Sequence, residues 1–116
     1  MPNLTPATDP NDLGRYFVDR ANAGDVDGLV ALYEPDAVLS LDGTVAIGHA
    51  EIRETYERLV AAAPTFEPGI PREPLISGDL ALTSTRLMDG GVTVEIAHRQ
   101  PDGSWLWAID QPNVLA

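Results

Sequence analysis

Two carboxylates near the C-terminus, Glu95 and Asp110, have the spacing of an acid–base pair. They flank Pro101, Asp102 and Gly103, a turn signal between two apolar runs. With Asp102 and Gly103 as a two-residue turn, Arg99 lies opposite Leu106, Ala97 opposite Ala108, and Glu95 opposite Asp110. These six share one face, and His98, Trp107, Ile96 and Ile109 share the other. Two carboxylates at cross-strand distance in apolar surroundings repel each other. One pKa then rises, which leaves a general acid beside a general base near neutral pH. The competing reading is a solvated rim carboxylate and a salt bridge to Arg99 or Arg86. Asp42, in the Asp42–Gly43 turn, is a third candidate acid.

His98 has the unperturbed pKa of a general base. Strand parity places it on the outer face beside Trp107, where an interface role fits better. His49 precedes a helix and reads as a group that caps or orients its start. Tyr16, Phe17, Tyr33 and Tyr56 fall at helical core spacing. One or two of the tyrosine hydroxyls can still reach a pocket and bond a ligand carbonyl. Two distant histidines and no cysteine argue against a zinc site. The chain has no Gly-rich phosphate loop and no nucleophile elbow. The expectation is chemistry with no metal and no cofactor.

The elements that must position these groups follow from pattern. Residues 1–8 carry two prolines and read as a loose arm, followed by one domain over 9–116. Asp9 is a plausible N-cap with Pro10 at the first helical position. Leu13, Phe17 and Ala21 then give a first helix, ended by Gly24. Asp25 caps a second, with Val26, Leu29, Val30 and Tyr33 on its inner face and Pro35 as its stop. Ala37 to Leu41 and Thr44 to Ile47 read as a hairpin across the Asp42–Gly43 turn. The third helix spans Ala50 to Ala63, with Ile52, Tyr56, Leu59, Val60 and Ala63 facing inward. Phe66 to Glu73 holds two prolines and reads as an edge strand or connector. Strands over Pro74–Ile76, Leu80–Met88, Val92–Gln100 and Ser104–Asp110 complete a meander. Helices first and strands last predict an α+β domain with the helices on one face of the sheet.

Composition bounds the partners. At 116 residues the chain has room for one modest core. A net charge of −11 repels nucleic acid and anionic membranes, and suits neutral or cationic ligands. No apolar run approaches the roughly 20 residues that span a bilayer. The N-terminus lacks the pattern of a secretory signal, so a cytoplasmic location is expected.

Three phrases resemble the SnoaL-like, ketosteroid-isomerase-like (nuclear-transport-factor-two-like) superfamily. They are Asn22–Leu39, Gly48–Ile52 and Arg99–Asp110, within a resemblance that covers roughly residues 10–112. It implies a cystatin-like cone, with a curved antiparallel sheet wrapped around the helices and a pocket at the open end. It also implies that Glu95 and Asp110 face that pocket, with Tyr16, Phe17, Tyr33, Leu41, Tyr56 and Arg99 as ligand-binding positions. The isomerase's functional positions fall on Phe17, Leu41 and Ala97, so its tyrosine, base and second acid are all replaced. A grouping of Asp110, Arg99 and Asp42 would instead resemble the epoxide hydrolases of this fold. Such domains commonly dimerise through the outer sheet face, here expected to be Trp105, Trp107, Ile96, Ile109 and His98.

The resulting expectation is a small enzyme acting on a hydrophobic carbonyl compound. Asp110, with Glu95 or Asp42, would shuttle protons for isomerisation, cyclisation or dehydration. The alternative is a non-catalytic ligand-binding or dimeric interaction module of the same fold.

Overall fold

A computed structural model of the chain describes residues 2–41, 43–62 and 65–115. Helix α1, Asp12–Asn22, buries Leu13, Arg20 and Ala21. Its start differs from the expected Asp9 cap: Asp9 accepts the Asn11 N–H instead, and Asn11 occupies the cap position. Gly24, at φ +69°, turns the chain out of α1. Asp25 then caps α2, Val26–Val30, by accepting the Gly28 N–H at 2.9 Å. This second helix is shorter than its apolar spacing predicts. Tyr33 is not its last inner residue but the first residue of strand β1, Tyr33–Leu41. Pro35 lies inside β1, in the stretch where the strand loses register with its neighbour, so its missing N–H is tolerated.

After β1 come β2, Thr44–Ile47, and the long helix α3, Gly48–Ala62. His49 and Glu51 fix the entry to α3. The His49 Nε2 bonds the Tyr33 carbonyl at 2.8 Å, and the Glu51 carboxylate accepts the Ile47 N–H at 2.8 Å. The remaining strands are β3 (Ile70–Pro71), β4 (Leu75–Ser77), β5 (Leu80–Arg86), β6 (Val92–Arg99) and β7 (Trp105–Gln111). They form one sheet in the order β2-β1-β7-β6-β5-β3, with β4 also paired to β5. The α+β class holds. The pairing is antiparallel except between β1 and β7, which run parallel. That contact sets the first and last strands of the chain side by side within the sheet and makes it a mixed one.

A one-residue bulge shapes the last hairpin. Glu95 pairs with Asp110 and Ile96 with Ile109, but Ala97 pairs with Trp107 and Arg99 with Trp105. Ala108 is the extra residue. On a regular strand Trp107 and Asp110, three positions apart, would face opposite sides. With the bulge both turn inward. The expectation of Trp105 and Trp107 on the outer face is therefore corrected: both are buried, in one core with Leu29, Leu39, Tyr56 and Ala97.

The segment before α1, read from sequence as a loose arm, is held at three points. Ala7 is buried and its carbonyl accepts the Trp105 N–H at 2.9 Å. The Thr5 carbonyl accepts from the buried Arg20 guanidinium, and the Asn3 N–H donates to Asp25. Arg20 also donates to the Gly28 carbonyl at 2.8 Å, so one buried cation joins α1, α2 and the arm. No helix among the described residues is long and apolar enough to cross a membrane.

The α2 corner is sterically closed. A Cβ on Gly28 would lie 2.3 Å from the Asp25 carboxylate and 3.0 Å from Arg20. Gly28→Ala should displace the cap and lower the unfolding free energy by about 1–2 kcal/mol, the range of a lost N-cap. Asp25→Ala should cost a similar amount, and urea denaturation followed by circular dichroism measures both.

Candidate functional site

A cavity of about 730 Å³ opens between α1, α3 and the concave face of the sheet. Its walls are mainly apolar and aromatic, with Phe17, Leu41, Tyr56, Leu59, Phe66 and Trp107 among them. Phe17 is the hub of the aromatic wall, with ring centroids 5.9 Å from Tyr56, 5.8 Å from Phe66 and 6.4 Å from Trp107. The segment carrying Phe66 is tied to α1 through Asn22. That side chain accepts the Phe66 N–H at 2.6 Å and donates to the Phe66 carbonyl at 2.9 Å.

Apart from Tyr56 on α3, the buried polar groups of this cavity gather on β5, β6 and β7. Glu95 and Asp110 are direct partners across the hairpin, and both line the cavity at only 7% and 4% exposure. The Asp110 Oδ2 accepts the Tyr33 hydroxyl, which also bonds the Tyr56 hydroxyl. Tyr33 and Tyr56 are each 1% exposed. On the other side, the Thr83 hydroxyl donates to Glu95 Oε1 at 2.7 Å. The result is a row of five oxygen-bearing side chains: Tyr56, Tyr33, Asp110, Glu95 and Thr83.

Among the described residues, no cation is bonded to the pair. All seven basic residues are arginines. Arg15 pairs with Asp12, Arg53 with Asp27 and Arg99 with Asp79, and no ion pair to Glu95 or Asp110 exists among the described residues. Burial, then the neighbouring charge of Glu95, pushes the Asp110 carboxyl up to about 8, against the lowering effect of the Tyr33 hydrogen bond. Burial also raises Glu95, while the hydroxyls of Thr93 and Thr83 act in the opposite direction. Burial raises both tyrosine hydroxyls well above their ordinary value, so both stay protonated as donors. The cavity thus holds a carboxyl that keeps its proton at pH 7 beside one better solvated by hydroxyls. That arrangement can give a proton or hydrogen bond to an oxygen and take a proton from carbon.

Of the residues singled out from sequence, Glu95, Asp110, Phe17, Leu41 and Tyr56 come together around the cavity. Tyr33 supports it from behind, through Asp110. Two expected ligand-binding residues do not take part. Tyr16 is capped by the guanidinium groups of Arg15 and Arg20, 5.2 and 5.1 Å from its ring, and is not a cavity residue. Arg99 lies at the far end of β6, bonded to Asp79 at 3.1 Å and stacked on Trp105, so it does not join Asp110. An Asp110–Arg99 grouping is therefore not assembled, and Asp42 lies outside the described residues. His98 stands on the outer face, 2.9 Å from Glu34. No group of three or more metal-ligating side chains occurs among the described residues.

Thr83 and Thr93 were not apparent from sequence. Their signal is the inward alternation Ala81, Thr83 on β5 against Thr93, Glu95, Ala97 on β6, legible once the two strands are set in register.

The sequence pattern of the SnoaL-like domain family matches residues 14–109. A search of curated proteins gives no match. Solved structures share the fold at low identity. A ketosteroid isomerase-like protein from Erwinia carotovora atroseptica is 20% identical, with a TM-score of 0.69 over 87% of this chain and 89% of that one. A protein of unknown function with a cystatin-like fold from Nostoc punctiforme is 16% identical, with a TM-score of 0.71 over 88% and 85%. An NTF2-like protein with a cystatin-like fold from Novosphingobium aromaticivorans is 20% identical, with a TM-score of 0.65 over 90% and 78%.

The retained proton has a thermodynamic signature. The folded Asp110 pKa lies above its unfolded value, so folding binds a proton between the two. Its stabilising contribution is complete below about pH 4, the unfolded value, and is lost as pH rises through the folded one. Unfolding free energy from urea melts should therefore fall between pH 5 and pH 8, and Asp110→Asn should flatten that slope.

Proposed function

The chain belongs to the SnoaL-like domain family, and we propose that it is a cofactor-independent isomerase, cyclase or dehydratase acting on a hydrophobic carbonyl compound. The observation that carries this reading is the pair of Glu95 and Asp110 at the polar end of an apolar cavity. A volume of about 730 Å³ suits a ligand of several fused rings. Phe17, Phe66, Tyr56 and Trp107 offer flat apolar contact to such a ligand.

In this reading the substrate carbonyl oxygen meets the protonated Asp110, whose second oxygen bonds Tyr33. Glu95 removes a proton from the carbon beside the carbonyl. The electron pair of that C–H bond moves onto the carbonyl oxygen, where the Asp110 hydrogen bond stabilises it. The proton on Glu95 then returns to another carbon in an isomerisation, or leaves with a β-hydroxyl in a dehydration. In a cyclisation the same enolate carbon attacks a second carbonyl of the substrate, whose π pair becomes an alkoxide that takes the proton back from Glu95. Enclosure strengthens each of these interactions, because water does not compete for Asp110.

The alternative is a non-catalytic binder of an apolar ligand. It is favoured by Phe17, Leu41 and Ala97, which stand where the isomerase of this superfamily has functional groups. Hydrogen–deuterium exchange separates the two. Cyclic ketones of one to four rings, incubated in D2O, are followed by proton NMR for exchange beside the carbonyl. Wild type should exceed both Glu95→Gln and Asp110→Asn by about 100-fold or more. The rate should fall above about pH 8, as Asp110 loses its proton. Equal exchange by wild type and Glu95→Gln, with a ketone bound in the cavity, contradicts the enzymatic reading.

We also propose that the outer sheet face mates with a second copy of the chain. Register aligns Leu75, Leu82, Ile96, Ile109, Val38 and Ile47 into one apolar row across six strands. Ile109 is 49% exposed within it. The inward tryptophans take no part. Sedimentation velocity should find a dimer for wild type and a monomer for Ile109→Lys. A monomeric wild type removes the proposal.

A further inference from the structure

We propose that Thr83 is a positioning residue that keeps Glu95 as the ionised base and so leaves the shared proton on Asp110. The assignment rests on the acid–base reading of the pair, but it can be tested without turnover.

The geometry is local and directional. Thr83 on β5 stands directly opposite Glu95 on β6, is 5% exposed, and donates its hydroxyl to Oε1 at 2.7 Å. A hydroxyl has one proton to give. Given to a carboxylate, it stabilises the charged form, and hydrogen bonds to charged groups are the strong ones. Thr93, two residues from Glu95 on the same face, supports the same state. Its Oγ1 already accepts the Thr85 N–H at 3.0 Å, so its hydroxyl proton is not used there. Asp110 receives one hydroxyl, that of Tyr33, whose oxygen in turn accepts from Tyr56. Glu95 therefore has the bonded Thr83 hydroxyl and the Thr93 hydroxyl beside it, and Asp110 has the Tyr33 hydroxyl alone.

The other groups around the pair do not reverse this. Tyr56 approaches from α3 as a neutral hydroxyl, and Asp110 from β7 is the other member of the pair. At the cavity rim stand Arg15 and Asp19 from α1, and Glu67 from the segment after α3. Arg15 is already bonded to Asp12 at 2.9 Å. No positive group bonds either carboxyl among the described residues, so the hydroxyl donors decide which one stays charged.

The test is carboxyl-carbon NMR on protein labelled with carbon-13 at Asp and Glu side chains, with E95Q and D110N to assign the two resonances. At pH 7 the wild type should show Glu95 in the ionised position and Asp110 in the protonated one. Thr83→Val keeps the shape and removes the donor. It should move the proton partition toward Glu95 by about tenfold or more. Thr83→Ser keeps the hydroxyl and should restore the wild-type partition. Tyr33→Phe removes the opposing donor and should hold the proton on Asp110. A wild type with its proton on Glu95 overturns the proposal, whether or not Thr83→Val folds. So does a folded Thr83→Val whose partition matches wild type. Absent ketone exchange with this partition intact would refute the acid–base reading and leave the role of Thr83 standing.

Discussion

Two carboxyls share one apolar cavity with no cation bonded to either among the described residues, and the rest of the site follows from that constraint. An uncompensated buried charge costs several kcal/mol. Two adjacent ones cost more, so one carboxyl keeps its proton. The neighbours are suited to this state. Tyr33, Tyr56, Thr83 and Thr93 are all hydroxyls, which can donate or accept as the proton moves. An arginine in their place would fix both carboxyls in the charged form and end their use as an acid and a base. Arg15, Arg53 and Arg99 are paired with Asp12, Asp27 and Asp79 instead. The buried arginine, Arg20, ties the N-terminal arm to α1 and α2 rather than reaching the cavity.

The fold supplies the cavity through irregularity as much as through regular pairing. The bulge at Ala108 turns Trp107 and Asp110 to the same side, so one strand gives both an aromatic wall and an acid. The parallel contact of β1 with β7 brings the Tyr33 hydroxyl to Asp110, 77 residues apart in sequence. Asn22 holds the segment of Phe66 against α1 with two hydrogen bonds, completing the aromatic wall. In sequence, Asn22 belongs to the phrase that ends α1. Its side chain closes the cavity and its backbone ends the helix.

Much of this was legible in the residues, and the failures have physical causes. Gly24 and Asp25 marked the α1–α2 corner because each has a local role, a left-handed turn and an N-cap. A two-residue turn at Asp102 and Gly103 puts Glu95 opposite Asp110, as observed, but also Arg99 opposite Leu106 and Ala97 opposite Ala108, which are not. The hairpin closes one residue away, at Gln100 and Ser104, and the bulge at Ala108 makes up the difference. The faces of Trp105 and Trp107 were not legible, because parity counting assumes an unbroken strand and the bulge lies between Trp107 and Asp110. Tyr33 continued the helical spacing of Val26, Leu29 and Val30. Its place in β1 is decided by pairing with a strand at the other end of the chain. Arg99 shares a strand with Glu95, but four residues carry it to the sheet's far end. Thr83 gave no signal alone, since threonine is an ordinary strand residue. Its role exists only opposite Glu95.

The central claim is that the cavity holds one protonated carboxyl at neutral pH. Infrared difference spectroscopy of wild type against Asp110→Asn at pH 7 tests it most directly. The account predicts one protonated-carboxyl stretching band in wild type, absent from the variant and lost from wild type above about pH 8. A wild-type spectrum at pH 7 in which every side-chain carboxyl is ionised would contradict it.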